Sequence, residues 1–215
     1  MYLASQKKDI ASVLQQKAMQ RETYKYLLTL ICPFSLRKSL YHRISRWFHG
    51  CELDNHCESS LNVFEIIRGK VPPCVLFAYI CTVFNGWTTT ARFQNKDNVC
   101  LICIDCEGDD TLEHYSTCVF QWKYFAKRFN KSVLPLSLPR FLGLYTTEVN
   151  DLIVHCVHIY AVKSMIDKVR SRQQILSTQS QIDHALDEGY KIAMIAQGNL
   201  AKAVLPKAIQ NLSCT

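Results

Sequence analysis

Residues 100–118 read Cys100-Leu-Ile-Cys103-Ile-Asp-Cys106-Glu-Gly108-Asp-Asp110-Thr-Leu-Glu113-His114-Tyr-Ser-Thr-Cys118. Within this stretch, Cys100-x2-Cys103-x10-His114-x3-Cys118 offers three thiols and one imidazole, the ligand set of a four-coordinate Zn2+ site. Cys100 and Cys103 can converge on one ion from a tight turn. His114 and Cys118, four positions apart, share one face of a helix. Asp110 is the expected N-cap of that helix, and Glu113 three residues later completes a capping box. Gly108 loosens the loop between. The spacing predicts a turn, an acidic loop and a helix gathered around one metal. Cys106 extends the series Cys100, Cys103 and competes for a ligand position. Cys100 with Cys103 is the better pair, because Ile104 and Asp105 then begin the loop.

The rest of the chain reads as helical scaffold around that segment. In 215 residues, 48% are apolar, while glycine and proline number only 7 and 6. That composition suits one helical domain with a core, with room for an appendage. Apolar residues recur at helical spacing from about Ser5 to Ile31, where Pro33 ends the pattern. Ser35 is placed to cap a helix carrying Leu36, Leu40, Ile44 and Phe48, with Gly50 as its stop. A short helix is expected over 58–69, through Leu61, Phe64 and Ile67. An apolar helix follows Pro72-Pro73 and stops at Asn85-Gly86. The helix of the zinc segment is expected to continue through Tyr115, Trp122, Phe125 and Phe129. Pro135 and Pro139 mark a loop. Thr147 opens a long helix to about Arg172, and a last helix carries Ile182, Leu186, Tyr190, Ala193 and Ala196. The expected fold is therefore mainly α, a helical domain organised around one Cys3His zinc-binding turn-loop-helix. The parts are a basic helical region 1–50, a zinc-stabilised core 51–172 and a C-terminal helix or tail 173–215.

Charge is unevenly placed. The formal net charge of +7 equals that of the first fifty residues alone. Such a lopsided balance points to a polyanionic partner at that end. Arg37, Lys38, Arg43 and Arg46 lie on one expected helix with Tyr41 and Trp47 among them. Basic residues interleaved with aromatics grip a phosphate backbone and stack on bases. The same pattern also describes a solvated amphipathic face whose aromatics enter the core. The acidic loop (Asp105, Glu107, Asp109, Asp110, Glu113) and a Cys3His zinc of net negative charge would repel phosphate. The metal is thus expected to pin helices together while the basic front makes the contact. Eleven cysteines, an odd number, and a polar N-terminus point to reduced thiols in an intracellular setting, cytoplasmic or nuclear. The longest uncharged stretch, 71–91, contains Pro-Pro and Asn-Gly, so no membrane partner is expected. His49, Cys51, His56 and Cys57 match no zinc spacing, and His155 and His158 read as residues on the face of a helix.

Three segments together resemble a known pattern. They are Phe84-Asn-Gly-Trp-Thr-Thr-Thr-Ala-Arg-Phe-Gln, Cys100-Leu-Ile-Cys103 and Asp110-Thr-Leu-Glu-His114-Tyr-Ser-Thr-Cys118 with Trp122 beyond. The pattern is similar to the cysteine–histidine segment that follows the polymerase domain in non-LTR retrotransposon reverse transcriptase-like proteins, over residues 77–130. The resemblance implies metal-ligand roles for Cys100, Cys103, His114 and Cys118. It implies RNA or DNA as partner and an adjoining polymerase domain. It does not imply catalysis. A reverse transcriptase needs paired aspartates in an aromatic-x-Asp-Asp turn to hold two metal ions. The only Asp-Asp here is Asp109-Asp110, preceded by Gly108. The chain is therefore expected to be non-enzymatic, a post-polymerase tail or remnant that binds nucleic acid. The competing reading is a zinc-stabilised helical interaction module without nucleic acid.

Overall fold

The computed structural model describes residues 36–90, 100–102, 108–129, 137–172, 176 and 178–197. They are mainly helical, and no strand occurs among them. The helices are α1 (Leu36–Ile44), α2 (Cys51–Ile67), α3 (Pro73–Val83), α4 (Leu112–Thr117), α5 (Val119–Phe129), α6 (Leu138–Phe141), α7 (Val149–Arg172) and α8 (Gln179–Gln197). The chain divides into two units, Met1–Ser39 and Leu40–Thr215. The first turn of α1, with Leu36, Arg37 and Lys38 exposed, is the described part of the first unit. The expected helix over 5–31, the Ser35 cap and the region beyond 197 lie outside the described residues.

The second unit is built on α7. Leu152, Ile153, Cys156, Ile159, Ala161, Val162 and Met165 are all fully buried. These positions run around the helix rather than along one stripe, the mark of a helix surrounded by protein. It packs chiefly against α8 and α3, and also against α2. Proline at the first helical position starts α3. Asn85 ends that region in the left-handed conformation (φ 51°), and the Gly86 N–H returns to the Cys81 carbonyl. The Asn85-Gly86 stop expected from the sequence is thus present. On α8, Ile182, Leu186, Tyr190 and Ala193 are buried, as their spacing predicts, whereas Ala196 in the last turn is exposed.

Three expectations are corrected. The helix expected over 58–69 begins seven residues earlier, at Cys51, with Gly50 (φ 60°) as its N-cap. Gly50 therefore opens α2, whereas α1 closes at Ile44 and a turn carries the chain onward. Second, α4 and α5 are not one helix. Cys118 is extended (ψ 119°) and separates them. Side chains have taken the carbonyls that a continuous helix would use. Trp122 Nε1 donates to the Ser116 carbonyl at 2.6 Å, and Gln121 Nε2 to the Tyr115 carbonyl at 3.3 Å. Third, the loop expected around Pro139 contains the single turn α6. Ser137 caps it by accepting the Arg140 N–H. One turn is too short to show periodicity.

Candidate metal centre

The centre is assembled on Gly108. The Cys100 N–H donates to the Gly108 carbonyl at 2.9 Å. The other side of Gly108 lies against the His114 imidazole. A Cβ at position 108 would fall 2.2 Å from His114 Cε1 and 2.3 Å from Nδ1. A side chain there would push the imidazole aside, so Gly108 leaves the His114 ring its present position. Through this glycine, Cys100 and His114 belong to one small assembly. The Cys100 sulfur accepts the Ile102 N–H at 3.4 Å. Cys100 and Cys118 are buried, and His114 is half-buried.

Helix α4 carries His114, and Cys118 follows its last residue. Its N-cap is Thr111, whose side chain accepts the His114 N–H at 3.1 Å. The break after Thr117 leaves Cys118 at the helix end, buried beneath the start of α5. Cys103 and the competing Cys106 lie outside the described residues, as do Asp105 and Glu107. Among the described residues no three His, Cys, Asp or Glu side chains form a group able to hold a metal. Cys100, His114 and Cys118 are all described and form no such group by themselves.

The expected capping box is not formed. Asp110 is fully buried and serves as a hub. Its carboxylate accepts the Tyr115 hydroxyl at 2.5 Å, the Thr90 N–H at 2.7 Å and Arg170 Nη2 at 2.6 Å. Tyr115 in turn accepts the Leu101 N–H at 3.4 Å. Burial, reinforced by the bond to Asp110, pushes the Tyr115 hydroxyl far above the usual phenol range. It stays protonated and donates. Asp110, Tyr115 and Arg170 thus tie the Cys100 turn and α4 to α7. Asp110 is consequently no part of a repulsive loop surface, whereas Asp109 is exposed. Glu113 does not cap either. It accepts the Trp47 indole N–H at 2.5 Å, which fastens the stretch after α1 to α4.

Arg37, Lys38 and Arg43 are exposed on α1, and Arg46 is exposed in the turn that follows. Trp47 is half-buried and Phe48 is buried. His49 and Cys51 face solvent, whereas His56 and Cys57 are buried. His56 packs against Phe48 and Tyr145, at ring separations of 4.2 and 5.7 Å. His155 and His158 lie on α7, as expected, and are buried. His158 Nδ1 meets the Tyr190 hydroxyl at 2.8 Å and Nε2 meets Gln121 Oε1. Burial, and then the proximity of His155, hold the His158 pKa well below its usual value.

No known protein family, curated protein or solved structure matches this chain. No helix among the described residues is long and apolar enough to cross a membrane.

Proposed function

We propose that the chain is a nucleic-acid-binding accessory region, with RNA as its first ligand, similar to the post-polymerase segment of non-LTR retrotransposon proteins. Cys100, Cys103, His114 and Cys118 would hold one Zn2+, which supplies structural cross-linking and no catalysis. Arg37, Lys38, Arg43 and Arg46 would carry the phosphate contacts. The observation that carries the metal part is the Cys100–Gly108–His114 assembly, with an amide N–H on the Cys100 sulfur. The RNA part rests on the exposure of the four basic side chains and on the basic first fifty residues. Without a paired-aspartate turn in its sequence, the chain would need an adjoining polymerase domain for any copying reaction, and primer extension by the pure protein should be nil.

Protein purified in reducing buffer should retain about one zinc per chain, and the Cys103→Ser and Gly108→Ala variants should lose it. Mobility-shift binding to single-stranded RNA should weaken with salt at a slope of about −3 in log–log form if four contacts are made. Changing Arg37, Lys38, Arg43 and Arg46 together to glutamine should flatten that slope. Stoichiometric zinc with no RNA binding at low salt would instead support the helical interaction module. Stoichiometric zinc in a variant lacking both Cys103 and His114 would overturn the ligand assignment.

A further inference from the structure

Leu40, Ile44 and Phe48 are buried in the core of the second unit. The opposite face therefore turns Tyr41, His42, Arg43, Arg46 and His49 to solvent. Between Leu36 and Gly50 the sequence contains no Asp or Glu. Glu113, which reaches this stretch, has its Oε1 on the Trp47 indole. The two aromatics closest to the basic side chains thus divide their roles. Trp47 is half-buried with its N–H engaged, so it holds the stretch in place. Tyr41 is 40% exposed and offers a ring to solvent on the same stretch as Arg43 and Arg46.

We propose that this face takes an unpaired polynucleotide strand and that Tyr41 is the residue on which a base stacks. The inference rests on the nucleic-acid reading above and specifies its ligand. Arginines alone bind any phosphate backbone and do not distinguish a duplex from a single strand. An aromatic ring changes that, because bases in a duplex are already stacked on one another, whereas those of an unpaired strand are open to a protein ring. An exposed tyrosine on a stretch that carries cations and no acidic residue of its own meets both needs. Its neighbours neutralise phosphates while its ring takes the base. Trp47 cannot serve, because stacking would require it to leave Glu113 and its half-buried seat.

The test compares an unpaired RNA of roughly 12 nucleotides, within the usual site sizes, with a blunt duplex of the same sequence. The parent should prefer the single strand. Tyr41→Leu should lose roughly tenfold in single-strand affinity and leave duplex affinity and the salt slope as they were. Tyr41→Phe, which keeps the ring, should bind like the parent. Arg43→Gln with Arg46→Gln should weaken both ligands together. Exposure of Tyr41 makes misfolding of these variants unexpected, and unchanged thermal melting checks it. If the parent binds single-stranded RNA and Tyr41→Leu binds it equally well, the inference is wrong while the function stands. If Tyr41→Phe loses as much as Tyr41→Leu, the hydroxyl and not the ring is the contact, and stacking is again refuted. A parent that binds neither probe removes the nucleic-acid reading itself.

Discussion

Asp109 and Asp110 are adjacent, identical and equally acidic on paper, yet they occupy opposite environments. Asp109 faces solvent, whereas Asp110 is fully buried with Tyr115, Thr90 and Arg170 around its carboxylate. A buried carboxylate that loses its charge leaves its cationic partner poorly compensated. Arg170 retains 25% side-chain exposure, so water recovers part of that loss. Asp110→Asn should therefore destabilise the fold by about 2 kcal/mol, in the range of a hydrogen-bonded charge. Asp109→Asn should remain within about 0.5 kcal/mol of the parent, as surface changes do. Urea denaturation of the two variants measures both, and equal midpoints would show that the hub contributes nothing. The sequence could not separate the two aspartates, because the partner that buries one lies sixty residues downstream. Gly108 was visible as a glycine, but its reason, the imidazole against its Cα, was not.

Between elements, α7 and α8 approach closely at Gly189 and Ala161. A Cβ at Gly189 would lie 2.7 Å from Ala161 Cα and 3.0 Å from Ala161 Cβ. Two small residues let the backbones come together, and neither helix can move away without opening the core around Tyr190 and Met165. Helix propensity alone says that Gly189→Ala should stabilise α8 by about 1 kcal/mol. The contact says otherwise, since overpacking a tight interface costs about 1–3 kcal/mol. The expected outcome is net destabilisation, read as a lower urea midpoint, and a raised midpoint would show the contact to be slack. Element boundaries follow the same division between local and distant causes. Two boundaries written in local chemistry, Pro73 and Asn85-Gly86, stand where the sequence puts them, whereas Gly50 opens a helix instead of closing one and Thr111 takes the cap expected of Asp110. The break at Cys118 depends on where the side chains of Gln121 and Trp122 fold back, which periodicity does not encode.

For the whole molecule, the buried polar node at His158 predicts a pH response. Its pKa lies well below the usual 6.5 because burial disfavours the imidazolium and His155 adds to the effect. His56 is lowered too, by burial that outweighs the nearby Glu52. A histidine depressed in the folded state binds its proton more readily when unfolded. Its stabilising contribution is thus fully present above pH 6.5 and falls as pH drops below that value. Each such group should contribute an acid slope of up to about 1.4 kcal/mol per pH unit. Urea midpoints of parent and His158→Gln, compared from pH 7.5 to 5, isolate the share of His158. Parallel pH curves for the two proteins would refute it.

The sequence by itself determined that the chain is mainly helical, most of the buried stripe of α8 and where α3 stops. Each of these is a relation between residues a few positions apart, and helix geometry converts such spacing directly into a shared face. Only the tertiary structure decided that Asp110 pairs with Arg170, that Glu113 holds Trp47 across sixty-six positions, and that Tyr41 rather than Trp47 meets solvent. Those outcomes depend on which distant surface packs over a residue. Packing is selected by the whole core at once, and local spacing carries no record of it.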